Sequence, residues 1–162
     1  MNLFGLMETS GSAMQAERVR AEVVAANMAN AETTRTQSGG PYRRQHVVFA
    51  ANQAVSGFAD SLNAASAPAA TGALPSTVQT SSIPLPSGVH IAAVVEDPGP
   101  PLKRYDPGHP DAGPDGYVSY PDINPITEMV DLMGATRAYG LNGSAVQAEK
   151  GMIASALEIA KT

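Results

Sequence analysis

Near the start of the chain Leu3, Met7, Met14, Ala21, Val24, Met28 and Ala31 fall in alternating steps of four and three, the seam spacing of a packed helix pair. Ser10 and Glu17 stand on the same line. A second ladder closes the chain, running Leu132, Ala135, Tyr139, Val146, Ile153, Ala156 and Ala160, with Asn142 and Glu149 in step and Ala138, Ala145, Met152 and Ile159 beside it. Two long helices are expected, of roughly 28 and 36 residues, which would reach about 40 and 55 Å. Polar residues inside both seams leave each stripe short of a finished core, so the helices should need partners along their length. The four polar members have two readings. Either the ladder slips off the buried face, as a straight helix does by about 20° per heptad, or these residues set register and face subunit contacts, as a seam Asn can.

The helix ends carry recognisable chemistry. Asn124 is a good N-cap, Pro125 suits the first helical position, and Glu128 and Asp131 place negative charge near the positive end of the helix dipole. A helix should therefore begin at Pro125 and run to about Lys161, weakened by Gly140, Gly143 and Gly151 at up to about 1 kcal/mol each. The first helix should end between Asn30 and Thr33.

Between the helices the pattern shortens to period two. Tyr42 to Phe49 reads as a strand after the turn residues Ser38, Gly39, Gly40 and Pro41 and is expected to form a hairpin arm. Val89 to Val95, Leu102 to Tyr105 and Tyr117 to Tyr120 read as strands of a small antiparallel sheet. From Ala50 to Gly88 the chain is rich in Ala, Ser, Pro, Asn and Thr, which suggests an extended connector. The expected class is α+β, divided into an N-terminal stem helix (1–34), an arm (35–50), a connector or insertion (51–88), a small β domain (89–122) and a C-terminal stem helix (123–162).

Composition then removes function classes. The chain has 162 residues, a net charge of −5 and no cysteine, so disulfides and thiolate chemistry are excluded. Its few basic residues form no stripe, and no nucleic-acid partner is expected. No apolar run approaches the roughly 20 residues of a membrane span. The N-terminus has no basic n-region and is interrupted by Glu8, so no cleaved secretory signal is expected.

Candidate chemistry concentrates between Asp106 and Gly116, where three carboxylates and His109 lie close together. Pro and Gly separate every acidic residue, which fits neither a calcium loop nor an acid–base pair, and the segment reads as a rigid turn. The three histidines, His46, His90 and His109, lie in separate segments, and neither a nucleophile elbow nor a phosphate-binding glycine loop occurs. No enzyme activity, cofactor or metal is expected. The sequon at Asn142 falls within a helical pattern and is read as chance.

The residues themselves resemble a known family. Glu22-Val-Val-Ala-Ala-Asn-Met-Ala-Asn30 followed by Ala31-Glu-Thr-Thr-Arg35 resembles the N-terminal signature of bacterial flagellar rod and hook proteins. Gly39-Gly-Pro-Tyr-Arg-Arg44, Val95-Glu-Asp-Pro-Gly-Pro-Pro101, Tyr105-Asp-Pro-Gly-His-Pro-Asp111, Asp115-Gly-Tyr-Val-Ser-Tyr-Pro121 and Asn124-Pro-Ile-Thr-Glu-Met-Val-Asp131 with Arg137-Ala-Tyr139 are similar to proximal-rod members of that family. The stretch Gly140-Leu-Asn-Gly143 departs from the family, which commonly continues there with Glu, Ala, Asn.

The resemblance implies a structural subunit of the basal-body rod, a hollow shaft that transmits torque and lets exported subunits pass. It further implies export through the flagellar type III apparatus, antiparallel pairing of the terminal helices as a coiled-coil-like stem, and contacts with copies of itself, other rod proteins and the basal-body adaptor at the rod's base. The candidate assembly surface is then Met7, Met14, Ala21, Val24, Asn27, Met28 and Asn30 on the first helix, and Met129, Leu132, Tyr139, Asn142, Val146, Ile153 and Leu157 on the last. Tyr42, Arg43 and Arg44 belong to the arm. Alternatives are another axial rod or hook subunit and a secreted membrane-active helical effector, the latter disfavoured by Glu8, Glu17, Glu22, Glu149 and Glu158 on the polar faces.

Overall fold

The computed structural model describes residues 3–52 and 88–161, so the connector expected over 51–88 lies almost wholly outside the described residues. Two helices and four short strands make up the described chain. Helix α1 spans Leu3–Ala29 and helix α2 spans Pro125–Ile159, while strands β1 (Gln45–Ala51), β2 (Val89–Glu96), β3 (Leu102–Tyr105) and β4 (Tyr117–Tyr120) lie between them. The class is α+β, as expected.

Each helix begins or ends where its local chemistry directs. The Asn124 side chain accepts from the Ile126 N–H at 3.0 Å, and Pro125 follows in the first turn, where an absent N–H is no loss. Residues Asn30 to Glu32 form a turn after α1, in which the Asn30 side chain donates to the Ala26 carbonyl at 2.9 Å and Thr33 donates to Asn30 Oδ1 at 3.2 Å.

The helices run antiparallel against each other. Ser10 meets Glu149, Arg20 meets Asp131 and Asn27 meets Glu128, so partners descend along α2 as they ascend along α1. Little of this seam is apolar. Ala16, Val24 and Ala135 are its buried hydrophobic members, and Ser10, Asn27, Glu128 and Glu149 are buried beside them. Glu128, Ala135, Asn142 and Glu149 are spaced by sevens, so three of four positions along this line are polar. Ser10 and Glu149 turn inward to each other at 3.5 Å, and Glu149 is only 2 % exposed with its second oxygen unpartnered. Asn142 is half-buried and bonds back to the Ala138 carbonyl at 2.9 Å. Glu17 Oε2 has Arg20 Nη1 at 3.5 Å but outside hydrogen-bond geometry. Burying an unpaired carboxylate costs several kcal/mol in a well-packed helix pair.

The strands differ from the expected grouping. Instead of one small sheet after the connector, β2 pairs antiparallel with β1 and β3 pairs antiparallel with β4. Short-range pattern identified each strand, but pairing follows the apolar face. Val47 and Phe49 share a recess with Val23 and Val24, and Val89 and Ile91 lie over Ser12, Ala16 and Val19, so β1 and β2 together cover one side of α1. A register shift between Val48 and Phe49 bends the hairpin.

Gly88 shows how close this approach is. It has φ of +98°, and a Cβ there would collide with the Ser12 hydroxyl. That hydroxyl is already engaged, accepting from the Val89 N–H at 3.0 Å and donating to the Thr9 carbonyl at 2.8 Å. Replacing Gly88 with Ala is therefore expected to destabilise the chain by about 1–3 kcal/mol. A drop in the thermal midpoint of Gly88→Ala checks it.

Candidate functional site

Where α1 ends, β1 begins and α2 begins, the side chains of Asn27, Glu128, Tyr42 and Arg44 converge on the backbone of Gln45. Asn27 is wholly buried at their centre. Its Nδ2 donates to the Gln45 carbonyl at 2.7 Å and to Glu128 Oε2 at 3.1 Å, while its Oδ1 accepts from the Gln45 N–H at 2.9 Å and from the Tyr42 hydroxyl at 3.1 Å. Two donors and two acceptor sites are all an asparagine amide offers, and all are used. Its side chain acts on Gln45 as a neighbouring strand would. The start of β1 is thus paired with a helix side chain as well as with β2.

Glu128 closes the other side. It is 1 % exposed, and its Oε1 accepts from Arg44 Nε at 2.7 Å, a short charge-assisted bond. Arg44 extends to Asp131 at 3.8 Å, Asp131 is 3.4 Å from Arg20, and Arg20 is 3.5 Å from Glu17. Burial, followed by the Glu96 and Glu128 carboxylates, raises the Tyr42 phenol above its ordinary value near 10. The phenol is thereby held as the hydrogen-bond donor that Asn27 requires.

The segment between α1 and β1 is folded back tightly. Tyr42 N–H donates to the Thr33 carbonyl at 3.1 Å and Thr36 N–H to the Gly40 carbonyl at 2.8 Å, with Gly39 and Gly40 at φ of 82° and 85°. Those angles suit glycine and little else. Asp111 docks the later loop onto this turn, its Oδ2 accepting from Thr34 Oγ1 at 2.8 Å and its Oδ1 lying 3.6 Å from Arg35. His109 Nδ1 accepts from the Asp111 N–H at 3.1 Å, and its ring packs edge-on against Tyr120. The acidic residue and imidazole that looked chemically tempting are bonded to backbone, Thr34 and Arg35. Among the described residues no group of three His, Asp or Glu side chains has metal-holding geometry.

The residues expected on the assembly surface fall into three groups. Val24 and Asn27 are buried inside the chain, whereas Met7, Met14, Ala21, Met28 and Asn30 on the first helix and Leu132, Asn142, Val146 and Ile153 on the last are half-buried. Met129, Tyr139 and Leu157 are exposed, as is Arg43; Tyr42 and Arg44 belong to the lock at Asn27. Sequence reasoning took Glu128 and Asp131 for helix-dipole charges and gave Arg20 no part. No short-range signal reveals their roles, because their partners lie 84 and 111 positions away.

A stem of paired terminal helices with a hairpin tied to its head is the layout of an assembly subunit. Two family models match the chain, "Flagella basal body rod protein" over residues 7–36 and "Flagellar basal body rod FlgEFG protein C-terminal" over residues 115–159. The lock joins both matched segments. At full length the chain is 38 % identical to the flagellar basal-body rod protein FlgC of Bacillus subtilis, aligned over 99 % of this chain and 100 % of that one. It is 34 % identical to the FlgC protein of Borreliella burgdorferi, with 98 % of each chain aligned, and 33 % to that of Escherichia coli O157:H7 over the same shares. It is a structural rod protein of the bacterial flagellar basal body. The chain belongs to the FlgC family.

Two outcomes test the lock. Glu128→Ala leaves Arg44 only the longer contact to Asp131 and strands one Asn27 donor, and is expected to lose about 3 kcal/mol, the low end for breaking a buried pair because Arg44 is partly exposed; chemical denaturation measures it. The folded chain also holds the Tyr42 proton more tightly than the unfolded chain does, so this contribution is fully present below about pH 10 and is lost as pH rises beyond it. Tyr42→Phe is expected to be less stable than wild type at neutral pH and to flatten the fall above pH 10.

Proposed function

We propose that this chain is a proximal-rod subunit that polymerises through its terminal helices into a hollow drive shaft, transmitting torque and leaving a path for exported subunits. The observation that carries this reading is α2. Tyr139 and Leu157 show on one side, while Ile126, Val130, Met133, Leu141, Met152 and Ile159 are each more than half exposed on another, and no helix of the described chain covers them. A helix that turns an apolar stripe away from its own partner is stably covered only when that second face is buried as well. Single exposed apolar residues are ordinary, but a stripe along 35 residues marks an interaction surface.

The antiparallel pair acts as the coiled-coil-like stem of the subunit, with Met7, Met14, Ala21 and Met28 on α1 and Met129, Tyr139 and Leu157 on α2 bordering the intersubunit surface. Methionine suits contacts with nonidentical neighbours because its side chain adapts. The β1–β2 hairpin serves as the arm, held rigidly at its root by Asn27 and Arg44 so that force on it passes directly into both helices. Arg43, exposed beside this root, is free to meet a neighbour. Partners are copies of the chain, other rod proteins and the adaptor at the rod's base, reached after export through the flagellar type III apparatus. No described helix is long and apolar enough to cross a membrane.

Leu141→Asp tests the reading. Leu141 is 66 % exposed, so the variant is expected to keep its secondary structure and melting point yet to abolish swimming and to be missing from isolated basal bodies. Full motility in this variant would exclude the outward face of α2 from assembly.

A further inference from the structure

The two helices present opposite chemistries to solvent. On α1 the exposed positions after Leu6 are Glu8, Gly11, Gln15, Arg18, Glu22, Ala25 and Ala29, a ladder in steps of three and four that is small or polar throughout, and Glu32 follows it. It is net acidic. On α2 no carboxylate is exposed between Pro125 and Leu157, and the exposed charges there are Arg137 and Lys150. Among the described residues Glu8, Arg137 and Lys150 have no ion-pair partner, whereas Glu22 is bonded to Arg18 one turn below it at 3.0 Å, an exposed pair that Arg137 of a neighbour would share.

The spacing of these groups repeats the spacing within the chain. Ser10 lies level with Glu149 across the intrachain pair. Twelve residues up α1 from Ser10 is Glu22, and twelve residues down α2 from Glu149 is Arg137, each step being about 18 Å of helix. Two copies standing side by side at equal height with parallel axes therefore bring Glu22 of one level with Arg137 of the other; Lys150 lies more than about 90° around α2 from Arg137 and is not part of this face. At the same height the small Ala25 and Ala29 of α1 come opposite the bulky Met133 and Met129 of α2. Gln15 comes opposite the small Ser144, and large residues thus meet small ones across the gap.

From this match of charge, size and level we infer that the outer ladder of α1 docks on the outer stripe of α2 in a second copy of the same chain. The inference rests on the reading of the chain as a polymerising subunit and names the faces that polymerisation uses. Because the two faces differ, the contact is heterologous. Each copy keeps one free α1 face and one free α2 face, so addition continues laterally until a ring or helical turn closes. The net acidic ladder of α1 and Arg137 on the stripe of α2 also oppose α1–α1 and α2–α2 pairing, which would set like charges together. The neighbour covers the stripe that the chain itself leaves open.

Cysteine-free sequence makes the test direct. Basal bodies isolated from cells carrying Ala25→Cys with Met133→Cys, oxidised to form zero-length disulfides, are expected to yield a ladder of dimers and higher multimers of this chain on non-reducing gels, and either single variant is expected to yield none. The wild-type subunit present in the same preparations establishes that the chain is a rod component; its absence would overturn the assembly reading and this inference with it. Incorporation of the double variant at wild-type level with no multimer would overturn the inference alone. Charge reversal covers the case in which the cysteines prevent incorporation. Glu22→Arg and Arg137→Glu should each reduce the swimming-zone diameter at least twofold, and the double reversal should restore most of it. A double variant no better than the worse single one would overturn the pairing.

Discussion

Everything above the lower stem depends on the saturated amide of Asn27. It is one wholly buried side chain, yet it joins the end of α1, the first residue of β1, the Tyr42 hydroxyl and the first turn of α2 through Glu128. A buried amide with any of its four positions empty costs about 1–3 kcal/mol, so the three elements have a single arrangement in which the cost vanishes. Arg44 completes the site by neutralising Glu128 at 2.7 Å. Hydrophobic burial alone would let the hairpin slide along α1, because Val47, Phe49, Val89 and Ile91 meet a run of similar small and branched residues. The amide prevents that slide by binding both backbone groups of Gln45.

The contrast between the two ends of the stem follows from this. At the head, each buried polar group is paired and the geometry is fully specified. Lower down, Ser10 and Glu149 are paired only at 3.5 Å, one Glu149 oxygen is orphaned, and α2 carries glycines at 140, 143 and 151 whose positions demand no special conformation. That half has fewer specifying polar contacts than the head. Such a gradient suits a subunit with a rigid head and helices that reach full stability among neighbours. The apolar outer stripe of α2 gives them that opportunity.

The loop between β3 and β4 shows how chemically suggestive residues become structural. Asp111 holds Thr34 and approaches Arg35, His109 accepts from the Asp111 backbone, and Tyr105 packs edge-on against Tyr117 at 5.4 Å. These contacts fasten the β3–β4 unit to the turn after α1, the same turn whose far end enters the Asn27 site.

Local physics was legible in the chain. Period and capping located Pro125 as the start of α2, glycine and proline marked the turns, and alternation found all four strands within a few residues. The polar positions Ser10, Asn142 and Glu149 were also visible, because they interrupt a ladder. Pairing was not legible. A two-residue period says that a strand has an apolar face but not what covers it, so β2 was assigned to the later strands instead of to β1 across the connector. Glu128 looked like a dipole charge because its first-turn position already explains a carboxylate, and only the tertiary structure brings Arg44 and Asn27 to it from 84 and 101 positions away. Sequence by itself determined the elements, whose causes lie within a turn or two of each residue. Tertiary structure decided the lock and the open face of α2, since both depend on which distant surfaces meet, and loop-closure entropy and packing settle that for the whole chain at once.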